Sequence, residues 1–164
     1  MLFRWLICIV WRMAVIKLLQ RIAVAVFGVM LVGCRSVPAL PPDDLSVPGW
    51  NMRQGQAVWK TGGNELAGEL ILAMRDGSSA LQFIKTPLPL VSAQTKNDRW
   101  TIRFIADNRT ISGRGMPPHQ LIWLHVAPAL RGIAIRPPLE FKGGTNWELM
   151  NRKTGEAITG FLSP

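Results

Sequence analysis

Four turn signals cut residues 55–113 into segments too short for independent helices. They are the Gly-containing loop "KTGGN" (60–64), Asp76-Gly77 within "RDGSS" (75–79), Asn97-Asp98, and Asp107-Asn108. Asp-Gly is the strongest short hairpin signal, because a two-residue turn between strands needs positive φ values. With the proline-containing stretch 86–90 as a further break, the pieces are "GQAVW" (55–59), "ELAGELILAM" (65–74), "ALQFIK" (80–85), "VSAQTK" (91–96), "RWTIRFI" (99–105) and "RTISG" (109–113). In the fifth piece Trp100, Ile102 and Phe104 alternate with Thr101 and Arg103, the period of a strand with one wet face. Successive short strands joined by tight turns give an antiparallel meander, so the chain is expected to be mainly β.

The period then changes. "MPPHQLIWLHVAPALRG" (116–132) carries prolines where a helix can begin and a run from His119 to Ala127 free of Gly and Pro, with Pro128 closing it. Leu121, Ile122, Trp123, Leu124 and Val126 leave almost no polar side, so this helix must be covered. Strand patterns return in "NWELMN" (146–151) and "AITGFL" (157–162), joined by "RKTGE". The expected architecture is a curved antiparallel sheet with one short apolar helix as its lid, and room for an apolar ligand between them. Leu70, Leu72, Leu81, Phe83, Trp100, Ile102, Phe104, Trp123, Leu124 and Trp147 are the candidate lining residues. The same side chains could equally fill a solid core, and pattern does not separate the two.

Between two of the strands stands "KTPLPLVSA" (85–93), with Leu88 flanked by Pro87 and Pro89. Prolines stiffen the stretch and push their predecessors toward extended geometry, so a rigid loop tip is expected. Burying one leucine side chain gains about 1.5–3 kcal/mol, enough to bias a protein already beside a bilayer toward it. Folding back of Leu88 and Leu90 onto the sheet is the alternative.

Residues 1–33 are apolar apart mainly from Arg4, Arg12, Lys17, Gln20 and Arg21, and end in Leu31-Val32-Gly33-Cys34. The apolar stretch from Ile22 follows positive charge and is short for a bilayer span, which fits a cleaved signal peptide. "LVGC" resembles the lipobox of bacterial lipoproteins, which implies cleavage before Cys34 and acylation of that residue. An uncleaved anchor helix is the alternative, and Met13 is an alternative start. Residues 34–49, rich in Pro, Ser and Asp, are expected to form an extended, lipidated tether, and residues 50–164 the β domain. Arg35 and Ser36 stand where an inner-membrane retention signal would carry Asp, so the same resemblance implies the outer membrane, facing the periplasm.

Of 19 basic residues four leave with the signal, so 15 remain against 10 acidic ones, a balance of +5 spread singly along the chain. That spread argues against nucleic acid, which asks for clustered cations with stacking platforms, and suits anionic lipid headgroups. His119 and His125 are six apart, not the i,i+4 metal spacing. No nucleophile elbow, phosphate loop or pair of neighbouring carboxylates occurs in the β domain. No catalytic residue, metal site or cofactor is expected, and the protein is expected not to be an enzyme.

From Arg53 to about Ile133 the order of features resembles the LolB family of outer-membrane lipoprotein receptors, within the wider LolA/LolB-like fold. The likeness rests on Arg53-Gln54-Gly55 opening the first strand, on "ALQFIKTPLP", and on a proline-led apolar helix with Trp123 followed by "PALRGI". It covers about half of the chain after Cys34. The resemblance implies a strongly bent, incomplete β-barrel capped by helices, whose apolar cavity holds the acyl chains of a lipoprotein. It implies a monomer that takes this cargo from a LolA-type periplasmic carrier and deposits it among outer-membrane lipids, with Leu88 as the membrane-insertion residue. The chain departs from the pattern in being short after Asn151 and in placing Pro89 where the family has glycine. A structural envelope lipoprotein that binds a protein complex or the cell wall is the alternative from a different class. Open sheet edges would serve it through strand addition.

Overall fold

One long hairpin organises the sheet. β1 (Asn51–Thr61) and β2 (Asn64–Arg75) pair along their whole length, from Asn51 opposite Met74 to Thr61 opposite Asn64. β2 passes its later half, Glu69–Arg75, to β3 (Ser78–Lys85), while β1 passes Gly55–Lys60 to β9 (Ala157–Leu162). The computed structural model describes residues 37–41, 45 and 48–163. The expected signal peptide and Cys34 lie outside them.

From β3 the meander continues through β4 (Leu88–Lys96), β5 (Arg99–Phe104) and β6 (Arg109–Arg114). On the other flank β9 pairs with β8 (Trp147–Asn151), which pairs with β7 (Leu139–Lys142). The nine strands run in the order β6-β5-β4-β3-β2-β1-β9-β8-β7, every pairing antiparallel, with β6 and β7 as the free edges of an unclosed sheet. Two glycines let neighbouring backbones come close on the central strands. A Cβ on Gly68 would stand 2.5 Å from the Ile84 carbonyl oxygen, and one on Gly160 would stand 2.6 Å from that of Gln56. Only glycine permits so close an approach of neighbouring strands.

The core lies on the inner face, where residues alternate as strand geometry requires. Leu70 and Leu72 of β2, Leu81 and Phe83 of β3, Val91 and Ala93 of β4, and Trp100 and Ile102 of β5 form one cluster with Trp147 and Leu149 of β8 and Ile158 of β9. The helix α1 (Trp123–Leu130) closes it, lying over β3, β4 and β5 and burying Trp123, Leu124, Val126, Ala127 and Ala129. Among the described residues the mainly β reading with one short apolar helix is therefore observed, and each expected strand is present with bounds shifted by a few residues.

Three local features differ from expectation. The helix starts at Trp123 and continues through Pro128, rather than covering His119–Ala127. Pro117 and Pro118 make a turn instead, with the Leu121 N–H donating to the Pro118 carbonyl, and the Leu124 and His125 N–H groups then open the helix on Leu121 and Ile122. Pro128 removes one rung, but burial of Ala127 and Ala129 on either side holds the helix to the sheet and outweighs the loss. β7 is a strand that the sequence does not announce, because four residues after two prolines carry too little period. Finally, Leu88 opens β4 rather than occupying a loop.

Candidate functional site

The connection expected to be a loop tip is a tight hairpin. Lys85 pairs with Leu88 across Thr86-Pro87, and the register shifts between Phe83 and Ile84 so that Ile84 faces Pro89. The irregularity falls where Pro89 cannot donate a ladder hydrogen bond. Its effect is to send Leu88 and Leu90, which the sequence treats together, into different surroundings. Leu90 is half-buried and packs on the core, and its carbonyl accepts from the Ile105 N–H at 2.9 Å. Leu88 is 65 % exposed. Ile105, also exposed, belongs to the turn beside it, so this end of the sheet presents apolar side chains to solvent.

All ten candidate lining residues are gathered on the inner face. Leu70, Leu72, Leu81, Phe83, Trp100, Ile102, Trp123, Leu124 and Trp147 are buried, with Phe104 half-buried against them. Trp123 is the keystone: its ring centroid lies 4.9 Å from that of Phe83 and 5.5 Å from that of Trp59, edge-on to the latter. The indole N–H groups of Trp100, Trp123 and Trp147 are buried with no hydrogen-bond partner among the described residues. The wide concavity of about 1390 Å³ lies elsewhere, chiefly on the outer side of the coiled hairpin around Gln54, Gln56, Glu69 and Phe161. Of the ten, Trp147 alone reaches it. A second concavity of about 610 Å³ is bounded by Ile133, Pro138 and Phe141.

The polar groups near the interior are held by structural partners. Asn151 is buried, donates to the His119 carbonyl at 2.9 Å and accepts from the Lys153 and Thr154 N–H groups, pinning the approach to α1 onto the β8–β9 turn. His125 Nε2 lies 3.2 Å from the Pro118 carbonyl. Burial pulls its pKa below the ordinary 6.5, opposed by that hydrogen bond and helped by the nearby His119. Glu156 accepts from the Trp59 indole at 2.8 Å; burial raises its pKa and the hydrogen bond partly offsets this. Among the described residues no cluster of His, Cys, Asp and Glu could hold a metal ion, and no helix is long and apolar enough to cross a membrane.

A further contact involves the expected tether. Leu40 is only 5 % exposed; its N–H donates to Thr101 Oγ1 at 2.9 Å and its carbonyl accepts from Arg103 at 3.1 Å. Arg99 donates to the Pro38 carbonyl at 2.7 Å. Thr101 also exchanges a hydrogen bond with Ser112 of β6. Residues 37–41 thus form a strap on the outer face of β5 and are not a free spacer. Sequence reasoning did not find this, because a segment without period gives no sign of the polar groups it will meet. The residues that receive the strap were legible as the wet side of β5: Arg99, Thr101 and Arg103 alternate with the buried Trp100 and Ile102.

No family model matches the chain, and no curated protein matches it.

Proposed function

We propose that the protein is a lipid-anchored receptor of the bacterial outer membrane that shelters the acyl chains of incoming lipoproteins and helps pass them into the bilayer. Cys34 carries the anchor, a LolA-type carrier delivers the cargo, and the apolar inner face beneath α1 receives its chains. The observation that carries the reading is the hairpin leucine. Leu90 turns inward and packs, while Leu88, two residues away, stands exposed at the end of the same stiff hairpin. An exposed leucine held by a rigid turn gives up little conformational entropy when it enters hydrocarbon. The unclosed sheet with a short apolar helix across it supports the reading, since such a lid can be displaced without breaking the sheet.

In this scheme the inner face is filled until cargo arrives. Trp123 must leave Phe83 and Trp59 for an acyl chain to enter, and the chain then takes over their apolar contacts.

A second reading draws on a different observation. The edges at β6 and β7 are free, and the interior side chains are packed together, as in a structural envelope lipoprotein that binds a partner strand. The deciding experiment supplies a carrier loaded with fluorescent lipoprotein to liposomes bearing the processed chain, as wild type and as Leu88→Glu. Transfer predicts that wild type moves the label into the bilayer while Leu88→Glu accepts but retains it. A folded wild type that never takes the label would leave the structural reading.

A further inference from the structure

The outer concavity of about 1390 Å³ is floored by two rows of side chains set in register across neighbouring strands. Ile84 of β3 stands opposite Glu69 of β2, Glu69 opposite Gln56 of β1, and Gln56 opposite Phe161 of β9. Beside them run Ala67, Val58, Thr159, Glu148 and Lys142, one from each strand between β2 and β7. Along their strands these residues alternate with the buried Ala57, Leu70 and Ile158, so they belong to the face away from the core. Acids, amides and a hydroxyl are mixed there with exposed carbon: Phe161 is 42 % exposed, and Met52 of the same lining 52 %.

The chemistry of this lining narrows what it can take. β1 is paired with β2 on one side and β9 on the other, so it offers no ladder to a peptide strand and recognition must come through side chains. The charged lining groups balance, Lys85 and Lys142 against Glu69 and Glu148, which gives a polyanion no advantage. Both carboxylates are held in place: the Gln54 amide donates to Glu69, and Lys142 donates to Glu148 at 3.1 Å. A carboxylate has acceptor room for about four hydrogen bonds, so one that is held still receives hydroxyl donors, at a fixed position. The volume exceeds the range of about 300–1,000 Å³ that single small molecules use, which suits an oligomer.

We infer that this concavity binds an uncharged, β-linked glycan chain. An all-equatorial pyranose carries hydroxyls around its rim and a flat patch of C–H bonds on each face, the same mixture that the floor presents. The exposed ring of Phe161 takes the C–H face of one sugar, since the electron-rich face of an arene attracts polarised C–H bonds. Gln56 both donates and accepts, and Glu69 accepts from hydroxyls one strand further on, about 4.8 Å away. That step is close to the advance of one sugar along an extended β-linked chain, so consecutive rings meet Phe161, Gln56 and Glu69 in turn. The site is distinct from the apolar interior and from Leu88, and it stands whether or not the interior takes acyl chains.

The test titrates the full chain, in a detergent without a sugar headgroup, with chitohexaose, cellohexaose, maltohexaose and a sulfated heparin hexasaccharide, and reads heat by calorimetry. The expected result is saturable binding of the extended β-linked chains, and none of the curled maltohexaose or of the sulfated chain. A preference between the two β-linked chains upholds the proposal and tells which sugar is read. Phe161→Ala and Gln56→Ala should each weaken binding about tenfold without moving the melting temperature, and Phe161→Trp should retain it. Gln82→Ala removes an exposed amide of the same face that does not line the concavity, and binding should be unchanged. A folded chain that binds neither β-linked hexamer would overturn the proposal. So would equal binding of maltohexaose, binding of the sulfated chain alone, or a Phe161→Ala variant and a Gln56→Ala variant that both bind as wild type does.

Discussion

The two ends of the meander differ in kind. At the Leu88 end a two-residue hairpin leaves one leucine in water, with Ile105 beside it. At the Arg99 end Lys96, Arg99 and Arg114 stand in register on three strands, and Arg99 donates to the Pro38 carbonyl of the strap. The first end can gain from a bilayer only by burying carbon, which salt hardly weakens. The second gains by meeting anionic headgroups, and ions screen that within about 10 Å at 0.1 M. One small sheet thus carries two surfaces of opposite physical character, about the length of a strand apart.

The largest effect is expected between the two ends, where the lid meets the sheet. Trp123→Ala should cost about 3–5 kcal/mol of stability by opening a cavity against Phe83 and Trp59. Measured by urea denaturation, the deficit should be partly restored by a long-chain fatty acid if the interior accepts acyl chains. A deficit that no apolar ligand restores would reduce the contrast to one of surfaces alone. Leu40→Ala should cost about 2 kcal/mol, the lower end for a buried leucine. Its sharper consequence is faster amide exchange over residues 37–41.

Salt separates the ends further. Raising sodium chloride from about 50 to 500 mM should weaken any binding of the cationic end to acidic lipid several-fold and leave any contact of Leu88 nearly unchanged. If both fell together, the Leu88 contact would not be hydrophobic. The smallest effect concerns the lid. Burial lowers the pKa of His125, so the stability that its neutral ring contributes is present above 6.5 and is lost as pH falls through the folded value. Melting temperature should drop on acidification from neutrality toward pH 5, and His125→Asn should flatten that drop. An unchanged slope in the variant would place the sensitivity elsewhere.

Much of this fold is written in local pattern. Asp76-Gly77, Asn97-Asp98 and Asp107-Asn108 mark the hairpins, and Asn97 and Asn108 adopt the positive φ angles, 54° and 47°, that such turns require. The inner face of β5 follows from the alternation of Trp100, Ile102 and Phe104. A two-residue turn at Asn97-Asp98 also sets Lys96 opposite Arg99, so half of the cation row is legible in the residues alone. Its extension to Arg114 needs the register across Asp107-Asn108, which turn chemistry leaves loose. The strap is not legible, because Leu40 is one leucine among prolines and its partners lie 61 and 63 residues away. The extent of α1 escapes local pattern because Pro128 is a breaker only where no tertiary burial opposes it. Leu88 and Leu90 are inseparable in sequence, and the irregular register beside Pro89 is what distinguishes them.

The most direct measurement asks whether an acyl chain enters beneath α1. A lipoprotein bearing a photoreactive fatty acid would be delivered by its carrier to the processed full chain, irradiated, and the adducts mapped by mass spectrometry. The expected result is crosslinks on inner-face residues around Trp123, Phe83 and Leu72. Adducts confined to the outer surface, or none on a chain shown to bind the carrier, would contradict the proposal that this sheet shelters lipid.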